Sequence, residues 1–165
     1  MRPTVLVFAL TLCAAAAQAA GTVQVSYVQP DKFADAANSR HEIDNTLRQL
    51  TGHFEALGQR YLADGQKLSI EVLDIDLAGE MRPFRRSLQD VRVLKGRADW
   101  PHIKLRYTFE SSGQAPRSGE QDVSDMAYLQ RIGHYGDSDP LRYEKRMLDE
   151  WFAAQFGAAD ARYSR

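Results

Sequence analysis

Residues 67–77, KLSIEVLDIDL, decide the fold of this chain, and their pattern predicts a central β-strand. Successive side chains of a strand point to opposite faces, so apolar residues two apart share a face. One apolar set occupies the first half of the stretch: Leu68, Ile70 and Val72. A second set takes the alternate positions: Leu73, Ile75 and Leu77. This change of phase predicts either a β-bulge at Val72 and Leu73 or burial on both faces.

An amphipathic helix is predicted before this strand. Ser39-Arg40-His41-Glu42 fits a capping box, in which the serine caps the first turn and the glutamate three residues later reaches back to it. Asp64-Gly65 ends the helix. Between these ends, apolar side chains recur at steps of three or four, the spacing of one helix face: Ile43, Leu47, Leu50, Phe54, Leu57 and Tyr61.

Shorter alternating patterns predict the other elements. A second helix begins at Asp139-Pro140, an N-cap followed by proline, and ends at Gly157. The order is β-α-β-β-β-β-α, which predicts an α+β fold: a mainly antiparallel four- to five-stranded sheet with two helices packed on one face. The remaining strands are predicted at residues 22–28, 91–94, 102–110 and 120–123.

The amino terminus has the three parts of a secretory signal peptide. Arg2 provides the positive charge, residues 5–16 are almost entirely apolar, and Ala17-Gln18-Ala19 fits the cleavage site. We therefore expect a signal peptide at 1–19, a single α+β domain at 20–165 and a periplasmic location. The alternative is an uncleaved membrane anchor, although the apolar run is shorter than the roughly 20 residues of a span. No later segment is apolar enough to span a membrane.

Cysteine content and charge narrow the function classes. Cys13 is the single cysteine, and cleavage would remove it together with any thiol or disulfide chemistry. A lipoprotein signal needs a small residue before its cysteine, and Leu12 argues against lipidation. The chain carries 21 basic and 22 acidic residues, a near balance that does not indicate nucleic-acid binding.

Motifs for catalysis, metals and cofactors are missing from the sequence. No serine lies in a G-x-S-x-G elbow, and no glycine-rich phosphate loop is present. The four histidines, His41, His53, His102 and His134, have no zinc spacing. We therefore expect no cofactor and no metal, and the pattern favours a protein that is not an enzyme.

Asp74 and Asp76 form the most suggestive acidic pair. Two residues apart on a strand, their carboxylates project from one face, where they could bind a cation or share a proton. The structural interpretation is that they pair across the sheet with Lys104 and Arg106 of a neighbouring strand. With Asp99 and His102 as a base, they would instead suggest a hydrolase or a metal-dependent enzyme.

Residues 82–97 form a basic segment that includes Arg85, Arg86 and Arg92, with Asp90 as its one acidic residue. Such an excess could bind phosphate groups or a partner's acidic surface. The alternative is a solvated connection whose edge strand is protected by charge.

Several stretches together resemble an uncharacterised exported bacterial family, the domain of unknown function DUF3016. The most specific is Asp74-Ile75-Asp76-Leu77-Ala78-Gly79-Glu80. The resemblance implies a shared fold and export, and it brings no activity. The other matching pieces run through the chain in order: Val25-Ser26-Tyr27-Val28 with Pro30 and Phe33, Asp99-Trp100-Pro101, Asp125-Met126 with Tyr128, Tyr143-Glu144-Lys145, Met147-Leu148 and Trp151-Phe152.

The leading functional hypothesis is a non-enzymatic periplasmic binding or accessory protein that acts on an envelope component or another protein. Its contact surface would be the charged sheet face around Asp74, Asp76, Lys104 and Arg106, with the basic segment beside it. The hydrolase that uses Asp74, Asp76 and Asp99 is the alternative, and a structural stress-protective protein is a third class. The sequence leaves the partner and the oligomeric state open.

Overall fold

The computed structural model describes residues 21–37, 39–83, 90–130, 135–136 and 138–157. The expected signal peptide at 1–19 and the candidate side chains of Arg85 and Arg86 lie outside these residues. A short 3₁₀ turn at Pro30–Lys32 follows the first strand. The helices and strands are β1 (Thr22–Tyr27), α1 (Arg40–Tyr61), β2 (Lys67–Asp76), β3 (Glu80–Pro83), β4 (Asp90–Val93), β5 (His102–Glu110), β6 (Arg117–Ser124) and α2 (Arg142–Phe156).

A four-stranded sheet in the order β1-β2-β5-β6 is the centre of the fold. β1 runs parallel to β2, while the β2–β5 and β5–β6 pairs are antiparallel. A parallel pair needs a crossover, and α1 provides it between β1 and β2. The predicted α+β class with two helices on a mainly antiparallel sheet is therefore confirmed, with one parallel pair at an edge.

Both helices cover the same face of the sheet, and the core lies between them and the strands. α1 packs on β1, α2 on β6, and the two helices on each other. Leu50 and Phe54 of α1 and Leu148 and Phe152 of α2 are fully buried. From the sheet, the buried side chains that join this core are Leu68, Ile70, Val72, Ile75, Ile103, Leu105, Tyr107 and Val123.

The phase change in the central strand is a β-bulge. The register of β2 against β5 shifts between Val72, which lies opposite Leu105, and Asp74, which lies opposite Lys104. The extra residue lets Ile75 face the helices like Val72, and both are completely buried. Burial on both faces, the other interpretation of the pattern, is not needed to explain it.

The predicted start of α1 is confirmed, while the start of α2 is displaced. Ser39 Oγ accepts a hydrogen bond from the Glu42 backbone N–H at 3.3 Å, as the capping box requires. The N-cap of α2 is Leu141, not Asp139. Asp139 instead holds a turn before the helix, because its Oδ1 accepts the Leu141 N–H at 2.9 Å.

One strand was not predicted. β3 pairs with β4 in a separate two-stranded sheet, where the sequence indicated a polar connection before a lone strand. β3 has only four residues, Glu-Met-Arg-Pro, too few for an alternating pattern to be recognised. Within the described residues, neither helix has the length and hydrophobicity that crossing a membrane requires.

Candidate ligand cavity and its surroundings

Asp74 positions the backbone next to it instead of pairing across the sheet. Its Oδ1 accepts hydrogen bonds from the backbone N–H groups of Ala34 at 2.8 Å and of Ile75 at 3.0 Å. The contact with Ala34 ties the segment after β1 to the end of β2. Lys104 lies opposite Asp74 in the register and was its predicted ion-pair partner. Its ammonium group contacts Glu120 instead.

The cations of the open sheet face pair with glutamates. Arg106 donates to Glu71 at 2.9 Å and to Glu120 at 3.1 Å, and Lys104 also contacts Glu120, at 3.2 Å. The predicted pairing of Lys104 and Arg106 with the two aspartates is therefore wrong. Glu71 on β2 and Glu120 on β6 supply the carboxylates, and the sequence pattern does not indicate which charges lie opposite each other.

Asp76 and His102 are brought together at the end of the sheet. Asp76 Oδ2 lies 3.7 Å from His102 Nδ1, and the two residues are register partners of β2 and β5. Partial burial raises the pKa of Asp76, an effect that nearby Asp35 and Asp74 strengthen and that His102 and Arg92 oppose. Of the four residues of the hydrolase hypothesis, these two are in contact.

Asp99 has a different task. Its carboxylate accepts hydrogen bonds from the backbone N–H groups of Lys95 and of Arg97, so it organises the loop after β4. Although its partial burial raises the pKa of Asp99, these hydrogen bonds hold it below its usual value. The Asp99 backbone carbonyl accepts the N–H of Gly79 at 2.9 Å, which joins the loop to the end of β2. The hydrolase hypothesis thus retains the Asp76–His102 pair, and it stays a prediction.

Gly79 allows the β3–β4 hairpin to approach the end of β2. Its φ is +82°, a left-handed conformation that glycine adopts without a steric cost. A Cβ atom there would lie 2.6 Å from the Val93 carbonyl oxygen and 2.6 Å from Leu94 Cδ2. The glycine of the 74–80 motif is therefore explained by close packing against β4.

Arg92, on β4, reaches from the hairpin back to the motif. Its Nη1 donates to the Ala78 carbonyl at 3.0 Å and lies 3.4 Å from Asp35 Oδ2. On the amino side of the same residue, the Ala78 N–H donates to Glu144 Oε1 at 2.8 Å. Ala78 is completely buried, so the two charged side chains satisfy a backbone segment that water does not reach.

Glu144, on α2, is the buried acid of this region. Its side chain is 1% exposed, and its Oε2 has no hydrogen-bond partner among the described residues. Burial raises the pKa of Glu144, against the opposing effects of the Ala78 N–H and of the Arg92 and Arg142 guanidinium groups. Sequence reasoning did not select this residue. The signal was its position three residues after Leu141 and four before Leu148, on the apolar face of the helix.

A cavity of about 360 Å³ lies where the first turns of both helices, the end of β2 and the β3–β4 hairpin meet. The polar part of its described lining combines two guanidinium groups, one carboxylate, two amides and two hydroxyls, and the other described lining residues are apolar. Of the predicted site residues that the structure describes, Arg92 is the one that contributes to it. The lining residues are Ala37, Glu42, Asn45, Thr46, Gln49, Leu77, Met81, Arg92, Leu94, Pro140, Leu141, Arg142 and Tyr143.

Arg142, the first residue of α2, is held in place by aromatic and backbone contacts. Its guanidinium carbon lies 4.5 Å from the centre of the Tyr143 ring, and Nη2 is 3.1 Å from the Tyr143 hydroxyl. Nη1 donates to the Asp139 carbonyl at 3.4 Å. Both Arg142 and Tyr143 line the cavity, so this cation–π contact lies at its wall. No group of three or more histidine, cysteine or acidic side chains in the described part of the chain is arranged to hold a metal ion.

Comparisons with known proteins give one match. No curated protein and no solved structure matches this chain in these comparisons. The sequence profile of a family described as "protein of unknown function (DUF3016)" matches residues 21–154 of the 165. This range includes the whole sheet, α1, the hairpin and nearly all of α2. The resemblance carried by the 74–80 motif is confirmed, and the chain belongs to the DUF3016 family.

Proposed function

We propose that this protein is a non-enzymatic binding or accessory protein of the bacterial envelope, exported to the periplasm, and that it takes a small molecule in the cavity between the helices and the hairpin. The cavity is the observation that carries the proposal. Its volume of about 360 Å³ is in the range of small-molecule sites, about 300–1,000 Å³. Its lining has the composition of such sites, an apolar wall with a few convergent polar groups.

The cavity supports this function better than the open sheet face does. On that face, the charges of Glu71, Lys104, Arg106 and Glu120 are paired with one another. Exposed ion pairs of this kind contribute little energy, and they are typical of a surface solvated by water. At the cavity, by contrast, a partly buried arginine lies beside apolar side chains, where a polar contact is less screened by water.

Export is the second component of the proposal. Residues 1–19 have the composition of a signal peptide, and the matched family region begins just after them, at residue 21. Fractionation of cells that express the full chain tests this component. The expected result is a periplasmic product whose amino terminus is Ala20 or Gly21, and a full-length cytoplasmic product would contradict it.

Capture of a small molecule tests the binding component. The purified protein is incubated with the low-molecular-weight fraction of a periplasmic extract, separated by gel filtration and denatured, and released compounds are identified by mass spectrometry. Asn45→Trp would fill the cavity from its rim. Asp44→Trp adds the same side chain next to it, at an exposed position that does not line the cavity.

We expect a compound to be retained by the natural protein and by Asp44→Trp and to be lost from Asn45→Trp. Retention by all three proteins would place binding outside the cavity. If the natural protein retains no compound, the binding proposal is wrong.

A further inference from the structure

The cavity lining is positively charged. Among the described residues it contains two cations, Arg92 and Arg142, and one anion, Glu42. Both cations line the same cavity, and each opposes the rise of the pKa of the buried Glu144 carboxyl. The fold thus brings them to one cavity although they lie on different elements, β4 and α2.

Arg92 retains hydrogen-bonding capacity. A guanidinium group has five N–H donors in a planar fork. Among the described residues, the contacts of Arg92 use Nη1 alone, toward Ala78 and Asp35. Nε and Nη2 therefore keep three donors, and the side chain is 20% exposed, enough for a bound group to reach it.

Among the described residues, the nearby acids do not take up the remaining donors of Arg92. Asp35 lies 3.4 Å from Arg92 Nη1, a distance beyond the usual range of a strong charge-assisted hydrogen bond. Glu42 is exposed, so water screens its charge. The cavity also lies at the amino ends of both helices, whose aligned peptide dipoles favour negative charge.

The remaining wall is apolar. Leu77, at the end of β2, and Leu141, at the start of α2, are each 3% exposed. Met81 and Leu94 extend this surface from the hairpin, and Pro140 completes it. An apolar group that enters the cavity would therefore lose its contact with water, which favours its binding.

We infer that the cavity binds a small amphiphilic anion, with its acid group on Arg92 beside Arg142 and its apolar body against Leu77, Met81 and Leu94. This inference rests on the proposed binding function and specifies its class of ligand. Carboxylates and phosphate monoesters share the required chemistry, because both accept two parallel hydrogen bonds from a guanidinium group.

Three probes with alkyl chains of seven or eight carbons separate the effect of charge from that of the apolar chain: octanoate, octyl phosphate and the neutral octanamide. The protein purified after expression of the full chain is titrated with each probe by calorimetry. Backbone amide NMR signals of the lining residues identify the site. We expect at least one anion to bind at the cavity about ten-fold or more tightly than octanamide, the effect of one charge-assisted hydrogen bond. Preference between the two anions distinguishes a carboxylate from a phosphate ligand.

Single substitutions locate the acid group. Arg92→Gln and Arg142→Gln should each weaken anion binding about ten-fold or more and leave octanamide unchanged. Arg106→Gln removes the same charge from the open sheet face and should change neither affinity. Since Arg92 also binds the buried Ala78 carbonyl, thermal unfolding checks each variant. If Arg92→Gln does not fold, Arg92→Lys, which keeps the charge without the planar fork, replaces it.

Each contrary outcome has one meaning. Equal affinity for octanamide and the anions, or anion affinity unchanged by both arginine variants, overturns the recognition of an acid and leaves the cavity as a binding site. Binding of none of the three probes also overturns the inference. In that case the capture experiment with Asn45→Trp decides separately whether the proposed binding function stands.

Discussion

Replacing Glu144 by glutamine should change how the stability of the protein depends on pH. Glu144 is fully buried between α2 and the end of β2, where its Oε1 accepts the Ala78 N–H. Burial disfavours the charged carboxylate and raises the pKa of Glu144 above the value of 4.5 of an exposed glutamate. Glutamine keeps the accepting oxygen and nearly the same volume, and it does not titrate.

The sign follows from proton linkage. Because the pKa of Glu144 is raised, the folded protein holds this proton more tightly than the unfolded chain does. The resulting stabilisation is fully present below pH 4.5 and is lost as the pH rises through the folded-state pKa. Where the folded state holds one proton more, the free energy of unfolding falls by about 1.4 kcal/mol per pH unit. Glu144→Gln lacks this contribution.

Urea unfolding between pH 4 and pH 9, followed by tryptophan fluorescence, measures the effect. We expect the free energy of unfolding of the natural protein, minus that of Glu144→Gln, to fall with rising pH at up to about 1.4 kcal/mol per unit, starting near pH 4.5. Glu55→Gln, an exposed glutamate on α1, is the control and should follow the natural protein. A difference that is flat across the range, or one that rises with pH, would refute the reasoning.

A pair of glycine substitutions tests the packing, and a single substitution tests the loop after β4. Gly58→Ala should lower the melting temperature, because the added Cβ would clash with Val23 Cγ2. Gly52→Ala on the same helix meets no atom within 4 Å, so it should raise the free energy of unfolding by up to about 1 kcal/mol through helix propensity. Equal effects of the two substitutions would contradict the close approach of α1 to β1. Asp99→Asn removes the charged acceptor of the Lys95 and Arg97 N–H groups, so hydrogen exchange at those amides should become several-fold faster. Because the pKa of Asp99 is lowered, its stabilisation is present above pH 3.8 and is lost as the pH falls through the folded-state value. The exchange rates of the two proteins should therefore converge in acid, and a difference that persists there would argue against the carboxylate.

The candidate site was only partly accessible to sequence reasoning. Arg92 was selected from a local excess of basic residues and lines the cavity. Asp74 and Asp99 were selected for their chemistry, and both bind backbone N–H groups. An aspartate that stabilises a turn and one that binds a substrate are the same residue type, so the sequence alone does not distinguish the two roles. Glu144 was missed because a charge on an apolar helix face was not counted as a signal.

The sequence by itself determined the elements whose pattern is local. The 3.6-residue period of α1, the alternation in β5 and the phase change that became the bulge of β2 are all read from neighbouring residues. The family could also be identified from the sequence, through motifs that follow one another along residues 21–154. These features depend on which side chains are buried, and the spacing of apolar residues along the chain indicates that directly.

Only the tertiary structure decided what lies next to what. The parallel pairing of β1 with β2, the pairing of Arg106 with Glu120 and the hydrogen bond from Ala78 to Glu144, 66 residues away, join segments that carry no mutual sequence signal. The cavity exists because two helix starts, one strand end and a hairpin meet. Burial then gives its side chains their properties, since the same glutamate or arginine at the surface would be solvated by water.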